Sequence, residues 1–184
     1  YTNVDGAESE EELATSINGK AVGTVARAAK AAGAVLVHYS TDYVFDGLKK
    51  EGYCEDDPTN PIGAYGRSKA EGERQLCENT DAFYLLRTSW LYGKNGKNFV
   101  DTMLARAREK RELKVVNDQH GKPTWTRDVA LATRFLLEHA NRYPYGIYHA
   151  VNEDETTWYD FACAIFERAN LPIQVTPILA KDFP

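Results

Sequence analysis

The feature that most constrains the fold is a short apolar run, Ala34–Tyr39, which ends directly before three polar residues. The run is rich in valine and follows a glycine, a composition typical of a buried strand in a parallel sheet. A second run of this kind, Phe83–Thr88, lies beyond a segment that is predicted to be helical. This order of strand, helix and strand favours an α/β fold with parallel strands.

Polar residues follow the first strand at the place where open α/β sheets bind ligands. Thr41 lies just past the apolar run, so its hydroxyl is expected at the carboxyl edge of the sheet. Asn60 and Pro61 are typical of an N-cap and a first helical turn, which predicts that the next helix begins there. Tyr65 and Lys69 are four residues apart on that helix and share one face.

These three side chains predict proton-transfer chemistry. A lysine ammonium close to a tyrosine favours the phenolate, so we expect Lys69 to lower the pKa of Tyr65 from its usual value of about 10. Tyr65 can then exchange a proton with a substrate oxygen, which Thr41 holds by a hydrogen bond. The spacing of Tyr65 and Lys69 alone is a weak signal, because the chain contains 11 tyrosines and such pairs are usually solvated.

Longer motifs surround these residues. They are Ser-Thr-Asp-Tyr-Val-Phe-Asp-Gly at 40–47, Tyr-Gly-Arg-Ser-Lys-Ala-Glu-Gly-Glu at 65–73, Arg-Thr-Ser-Trp-Leu-Tyr-Gly at 87–93, Asn-Asp-Gln-His-Gly-Lys-Pro-Thr at 117–124, Gly-Ile-Tyr-His at 146–149 and Thr-Trp-Tyr-Asp-Phe-Ala at 157–162. With them the sequence resembles the dTDP-4-dehydrorhamnose reductases, which are extended short-chain dehydrogenase/reductases. The resemblance runs from Tyr1 to Pro184 and is more specific for the family than for the sugar.

The resemblance implies a fold and a reaction. The fold would be a doubly wound, Rossmann-type parallel sheet with a small C-terminal substrate lobe. The reaction would be the NAD(P)H-dependent reduction of the C4 ketone of dTDP-4-dehydrorhamnose to dTDP-rhamnose. In it, Tyr65 would deliver the proton, Lys69 would hold the nicotinamide ribose and lower the pKa of Tyr65, and Thr41 would tune the transfer.

The resemblance also implies binding residues. Besides Tyr65 and Lys69, the expected cofactor contacts are Tyr1 and Thr2. Besides Thr41, the expected substrate contacts are Val4, Asp42 and Trp90. Lys97 and Asn98 could meet the substrate pyrophosphate at a helix start, although Lys97 can equally be an exposed side chain. A Mg²⁺ ion and a homodimer are compatible with the resemblance, but no residue is assigned to a metal.

The chain contains no glycine-rich turn of the kind that binds a dinucleotide at the first strand of such a fold. We therefore expect a fragment that lacks the first part of the nucleotide-binding domain and is inactive by itself. Residues 1–145 would form the truncated cofactor domain, with 92–112 contributing to the substrate lobe, and residues 146–184 would form the rest of that lobe.

Patterns predict the remaining elements. A loop is expected at Tyr1–Gly6, followed by one long helix at Glu8–Ala32 with Ser9 as its N-cap and Glu12 completing a capping box. Its apolar stripe, expected to face inward, comprises Leu13, Ile17, Ala21, Val22 and Val25. Asn18 faces roughly the same side, and a satisfied buried amide is favoured over a role in supporting the catalytic residues. Further helices are expected at Asn98–Arg111, from Thr126 or Asp128 to Asn141, and at Trp158–Ala169 after a Thr156 cap, with strands at 113–116, 146–151 and 173–178.

Composition excludes several classes of function. The net charge of −5 and the pI of about 5.4 argue against a nucleic-acid-binding surface. No apolar run is long enough to span a membrane. The three scattered cysteines favour reduced thiols in the cytoplasm, and the four histidines show no metal-binding spacing. The acidic residues of the 48–61 loop are expected to be solvated.

Two other functions remain open at this point. The first is another extended reductase or epimerase that acts on a different nucleotide sugar. The second is a regulatory subunit that binds the cofactor without turnover, like the β subunit of methionine adenosyltransferase, which resembles the same family. The presence of Thr41, Tyr65 and Lys69 together disfavours the regulatory function.

Overall fold

The computed structural model describes residues 1–109 and 112–183. In chain order the helices are α1 (Val4–Ala7), α2 (Glu11–Thr15), α3 (Ala21–Ala31), α4 (Ala64–Asn79), α5 (Phe99–Glu109), α6 (Thr126–Glu138) and α7 (Trp158–Arg168). The strands are β1 (Leu36–Thr41), β2 (Phe83–Thr88), β3 (Leu91–Tyr92), β4 (Glu112–Val116), β5 (His120–Gly121), β6 (Thr124–Trp125), β7 (Gly146–His149), β8 (Thr156–Thr157) and β9 (Gln174–Ile178). The predicted helix end at Arg111 lies outside the described residues.

The chain forms two compact units, and each is discontinuous in sequence. Unit 1 comprises Tyr1–Thr88 and Ala132–Ala150, and unit 2 comprises Ser89–Leu131 and Val151–Pro184. The predicted boundary between residues 145 and 146 does not coincide with a boundary between these units, because β7 belongs to the sheet of unit 1. The assignment of cofactor and substrate roles to separate domains stays a prediction.

The sheet of unit 1 has the order β1-β2-β7, and all of its strands are parallel. Tyr84, Leu85 and Leu86 of the central strand are completely buried, as expected for a strand covered on both faces. The prediction that β1 is also buried is wrong. Its first three residues are half-buried and Tyr39 is exposed, so only Ser40 and Thr41 are buried.

The N-terminal helices pack on α4 through small residues. The buried positions of α2, α3 and the π-helical turn Ser16–Lys20 between them are Ala14, Asn18, Gly19, Gly23 and Ala26. They face α4, whose surface here also has a small residue: a Cβ added at Gly72 would overlap the carbonyl oxygen of Asn18. The predicted apolar stripe is therefore wrong, because Leu13 and Ile17 are 47% and 44% exposed. Close approach of two helices requires small side chains, and the π turn changes which positions face α4.

The predicted start of the long helix is also wrong. A separate helix, α1, occupies the expected loop, and the side chain of Asn3 caps it by accepting a hydrogen bond from the amide of Gly6 at 3.1 Å. Ser9 does not form a capping box, because its hydroxyl donates to the carbonyl of Gly6 at 3.0 Å. The residue at the N-cap of α2 is instead Glu10, and its side chain forms no capping hydrogen bond.

Helix α4 begins at Ala64 rather than at Asn60. The side chain of Asn60 is occupied elsewhere, since it donates to Asp46 at 2.9 Å. The free amide of Ala64 instead donates to the carboxylate of Glu8 at 2.8 Å. A carboxylate at a helix N-terminus stabilises the helix dipole, so a residue distant in sequence supplies the cap.

Unit 2 closes around a core of larger side chains. Strands β4 and β9 are parallel, with Glu112 opposite Gln174 and Val116 opposite Ile178. The buried members of the core of unit 2 are Met103, Leu113, Val115, Ala162, Ile165 and Phe166. Helix α7 is capped by Thr157, not by the predicted Thr156: the hydroxyl of Thr157 accepts from the amide of Asp160 at 3.0 Å. Among the helices that the structure describes, none has the length and apolar character needed to cross a membrane.

Candidate active site

The end of β1 places Thr41 among hydrogen-bonding groups. Thr41 is buried and lies beside Thr88, the last residue of β2. Its hydroxyl donates to Oδ1 of Asp42 at 3.0 Å and accepts from the amide of Tyr43 at 3.2 Å. The chain turns sharply into a single 3₁₀ turn at Asp42–Val44. The hydroxyl is therefore fixed at the carboxyl edge of the sheet, as predicted.

Tyr65, in the first turn of α4, lies close to Thr41 and Asp42, since both affect the pKa of its phenol. Within residues 1–109 and 112–183 no hydrogen bond joins this phenol to the hydroxyl of Thr41, which donates to Asp42. The ring of Tyr65 packs against Tyr43, with 5.7 Å between ring centroids and planes nearly perpendicular, and also against the small cluster that contains Ala64. The structure thus brings two of the three predicted catalytic residues close together.

The pKa of Tyr65 is raised, and the predicted lowering by Lys69 is wrong. Burial is the largest cause, followed by the negative charge of Asp42 and by Tyr43, while the nearby hydroxyl of Thr41 opposes the rise. Removing a phenol from water disfavours the phenolate, and a nearby carboxylate disfavours it further. Tyr65 is consequently in the protonated, proton-donating form at neutral pH.

Lys69 lies below Tyr65 on α4 and donates to the carbonyl of Tyr39 at 2.6 Å. Burial lowers the pKa of Lys69, and the charge of Glu73 partly opposes this effect. Burial and the nearby Lys69 also lower the pKa of His38 to about 4, so this imidazole is neutral at physiological pH. An ammonium has three N–H donors, and within the described residues one of those on Lys69 is used.

A buried amide network supports the start of α4. Asn18 donates to Oγ of Ser68 and to the carbonyl of Tyr1, each at 3.0 Å, and accepts from the main-chain nitrogen of Tyr1 at 3.0 Å. Ser68 in turn donates to the carbonyl of Tyr65 at 2.7 Å. The preferred interpretation of Asn18 as a satisfied buried amide is confirmed. Ser68 was missed, although its position between Tyr65 and Lys69 could have drawn attention to it.

The other predicted contacts in unit 1 have different surroundings. Asp42 is half-buried, and burial raises the pKa of its carboxyl. Tyr1 is half-buried and its hydroxyl donates to Glu10 at 2.5 Å. Thr2 is exposed, and Val4, at the start of α1, is half-buried. The roles of these residues in binding stay predictions.

A buried ion pair fixes the end of β2 to α4, and sequence reasoning missed it. Arg87 contacts Glu73 at 2.7 Å, and both side chains are about 5% exposed. Arg87 also donates to the carbonyl of Glu55 at 3.1 Å, and the side chain of Glu55 accepts from the amide of His149 at 3.0 Å. The expectation that the acidic loop is merely solvated is therefore wrong for Glu55. An arginine inside an apolar strand was the signal for this pair.

Several buried polar atoms at this edge of the sheet have no hydrogen-bond partner within residues 1–109 and 112–183. They include Oγ of Ser40 and Oγ1 of Thr88, both next to Thr41, and Nε2 of His38 and of His149. Unpaired buried polar atoms are rare and concentrate at functional sites or where a water or ligand binds. Their position supports a ligand site at the carboxyl ends of β1 and β2.

The remaining predicted residues belong to unit 2. Trp90 stacks on Trp158, with ring centroids 3.4 Å apart. Asn98 is engaged at the start of α5, where its Oδ1 accepts from the amide of Asp101 at 3.0 Å and its Nδ2 donates to the carbonyl of Gly93 at 2.9 Å. Lys97 is exposed. In the part of the chain that the structure describes, no group of three His, Cys, Asp or Glu side chains could hold a metal ion.

Comparisons with known proteins agree with this architecture. A family model described as the RmlD substrate binding domain matches residues 1–184. The dTDP-4-dehydrorhamnose reductase of Burkholderia thailandensis is 46% identical over 171 residues, which are 90% of this chain and 57% of that protein. The spore coat polysaccharide biosynthesis protein SpsK of Bacillus subtilis is 43% identical over 183 residues, 100% of this chain and 63% of that protein. The chain thus spans about three fifths of the length of these relatives.

A solved structure matches the whole chain closely. The dTDP-4-dehydrorhamnose reductase of Bacillus anthracis, determined in complex with NADP, superposes with a TM-score of 0.96 at 43% identity, covering 100% of this chain and 64% of that one. The predicted α/β fold with a Rossmann-type parallel sheet is thereby confirmed.

Proposed function

The chain belongs to the family of the RmlD substrate binding domain, and from this premise we propose that it carries the proton-donating site of a dTDP-4-dehydrorhamnose reductase. The proposed reaction is the reduction of the C4 ketone of the sugar nucleotide, with NADPH or NADH as the reductant. The observation that carries the proposal is the placement of Tyr65, at the start of α4, against Tyr43 just after the end of β1, where Thr41 lies between the unpaired buried hydroxyls of Ser40 and Thr88.

The protonation state of Tyr65 fits reduction rather than oxidation. A ketone that accepts a hydride develops negative charge on its oxygen, and that oxygen then needs a proton. A phenol with a raised pKa still holds its proton at neutral pH, so Tyr65 can supply it. Thr41 hydrogen-bonds the same oxygen and stabilises the developing charge. The phenolate that remains regains its proton from solvent after product release.

Lys69 fits the role of cofactor holder. It keeps two N–H donors without an acceptor in the described segments of the chain, and the hydroxyl oxygens of a ribose could accept from them. When bound, the reduced nicotinamide supplies the hydride. Tyr1 and Thr2 are proposed as further contacts on the same side of unit 1, where the main chain of Tyr1 is held by Asn18.

Thr41, Asp42, Val4 and Trp90 are each proposed as contacts of the nucleotide sugar, as the family resemblance implies. The described residues contain no cluster suited to Mg²⁺, so no step is assigned to a metal. A homodimer, which the sequence resemblance allows, stays a prediction that size-exclusion chromatography with light scattering can test.

The test is NAD(P)H oxidation by the full-length protein with dTDP-4-dehydrorhamnose. We expect saturable turnover, and in the Tyr65→Phe variant we expect a loss of about 10²- to 10⁴-fold in kcat with nearly unchanged cofactor affinity. Tyr148→Phe is the matched control, because it also removes one hydroxyl, which donates to the carbonyl of Pro144.

Other results of this assay would identify which part of the proposal is wrong. Wild-type turnover in Tyr65→Phe would show that the proton donor is a different group. Tight cofactor binding without oxidation of any nucleotide sugar would favour the regulatory function. Turnover with a different nucleotide sugar only would keep the mechanism and change the substrate.

A further inference from the structure

Trp90 has a conformation that is costly for its residue type. Its φ angle of 44° lies in the left-handed region, which bulky residues rarely adopt. Two hydrogen bonds hold the backbone there: the carbonyl of Trp90 accepts from the amide of Thr124 at 3.2 Å, and the hydroxyl of neighbouring Ser89 donates to the carbonyl of Lys122 at 2.8 Å. Such outliers persist where surrounding contacts impose them, and they concentrate at functional sites.

The ring of Trp90 is also held in an arrangement that isolated rings do not prefer. Its centroid lies 3.4 Å from that of Trp158, with only 9° between the ring planes. At that separation one indole lies directly over the other with almost no lateral offset, whereas aromatic pairs prefer offset or edge-to-face geometry. The surrounding structure therefore imposes the stack.

One small strand pair supplies the restraints on both rings. Strands β5 and β8 are antiparallel, with Gly121 opposite Thr156 and His120 opposite Thr157. A Cβ at Gly121 would overlap the indole of Trp90 and lie 2.6 Å from its Nε1. Thr157, on the other strand, caps α7 directly before Trp158.

The outer side of the stack is supported as well. Phe99 packs on Trp158 with 4.6 Å between ring centroids, and Phe99 in turn packs on Phe161 at 5.5 Å. Trp158 thus packs against the core of unit 2, and both indoles are half-buried. The indole N–H of Trp90 has no acceptor among residues 1–109 and 112–183.

We propose that Trp158 is a positioning residue which, together with Gly121, fixes the half-buried indole of Trp90 as one wall of the site for the sugar ring. This inference rests on the proposed function, in which Trp90 contacts the nucleotide sugar. Because Trp158 covers one ring face of Trp90 and the backbone of Gly121 approaches the indole closely, the ligand meets the part of the ring that these two residues leave exposed. Trp158 then sets the affinity for the sugar and leaves proton transfer from Tyr65 unchanged.

The test uses the full-length protein with Trp158→Leu and Trp158→Phe. Since an aromatic pair contributes modestly beyond its buried area, we expect Trp158→Leu to raise KM for the sugar nucleotide about two- to tenfold. We expect kcat, and KM for NADPH, to stay within about twofold, because the groups that transfer the proton are untouched. Trp158→Phe, which keeps a ring, should recover most of the affinity.

Two further measurements separate positioning from general stabilisation. If Trp158 acts through Trp90, the double variant with Trp90→Leu should have the same KM as Trp90→Leu alone, whereas an independent structural role gives additive effects. The stacked indoles should also produce an exciton couplet in the far-ultraviolet circular dichroism spectrum. Loss of Trp158 should abolish it, and the control Trp125→Phe should retain it.

The outcomes are distinct. Additive effects on KM, or a wild-type KM in Trp158→Leu, would overturn the positioning role. A wild-type couplet that persists unchanged in Trp158→Leu would overturn the assignment of that signal to this indole pair. A couplet in a wild-type protein that turns over no nucleotide sugar would instead refute the proposed function, and with it the sugar-site role of Trp90, while leaving the indole pair established.

Discussion

The two units hold their functional side chains by different physical means. In unit 1, Thr41 and Tyr65 occupy the end of a regular strand and the first turn of a regular helix, and each is held by its own hydrogen bonds, Thr41 to Asp42 and the carbonyl of Tyr65 to Ser68. In unit 2, Trp90 is held by ring packing and by a backbone conformation that is unfavourable by itself. Directional bonds fix the position of a reacting atom, whereas stacking fixes a surface, and each suits the role proposed for it.

The largest expected effect is a loss of stability in unit 1 alone, where Glu73 and Arg87 form a buried ion pair. Glu73→Ala leaves the guanidinium of Arg87 buried and unpaired, so we expect a loss of about 3–5 kcal/mol in the free energy of unfolding. Glu78→Ala is the control, because it removes an exposed partner of Arg74 and should cost under about 1 kcal/mol. Denaturant titration of the full-length protein measures both. Similar losses in the two variants would mean that the buried pair does not fix β2 to α4.

The next prediction tests the hydroxyl of Thr41 separately from the buried ion pair. Thr41→Val keeps the shape of the side chain but removes the hydroxyl, so we expect kcat to fall about 10²-fold with little change in stability or in KM for the cofactor. Thr41→Ser should restore most of the rate. Equal loss of rate in the serine and valine variants would show that the methyl group, not the hydroxyl, matters at this position.

A smaller effect is expected in unit 2. Gly121→Ala places a methyl group against the indole of Trp90, and because overpacking in a filled site costs about 1–3 kcal/mol, the ring should shift. We expect KM for the sugar nucleotide to rise while kcat is maintained, the reverse of the Thr41→Val result. Steady-state kinetics over both substrates provides the measurement. A fall in kcat with unchanged KM would contradict the division of roles between the two regions.

The smallest effect concerns pH. Burial lowers the pKa of Lys69 and raises that of Tyr65. Reduction needs Tyr65 protonated and Lys69 charged, so the loss of charge on Lys69 should produce an alkaline decline in kcat/KM that lies below the ordinary lysine pKa. Lys69→Arg should move that decline to higher pH, since a guanidinium stays charged. A decline at the same pH in this variant would assign it to another group.

Sequence reasoning succeeded where a feature depends on neighbouring residues and failed where it depends on residues distant in the chain. The parallel strands ending at Thr41 and Thr88, and the shared helix of Tyr65 and Lys69, were predictable because alternation and helical periodicity are local properties. Predictions that depended on a partner distant in the chain failed. The start of α4 is set by Glu8, 56 residues away in sequence, and the buried face of α3 and of the π turn before it depends on the close approach of Gly72 in α4.

The order of apolar and polar side chains was enough to predict which chemical groups lie at the ends of the strands and which residues share a helix. The raised pKa of Tyr65 could not be predicted in this way, because it depends on burial and on the nearby carboxylate of Asp42. Only the tertiary structure decided the partner of Trp90, since Trp158 lies 68 positions further along the chain and no local pattern connects the two rings.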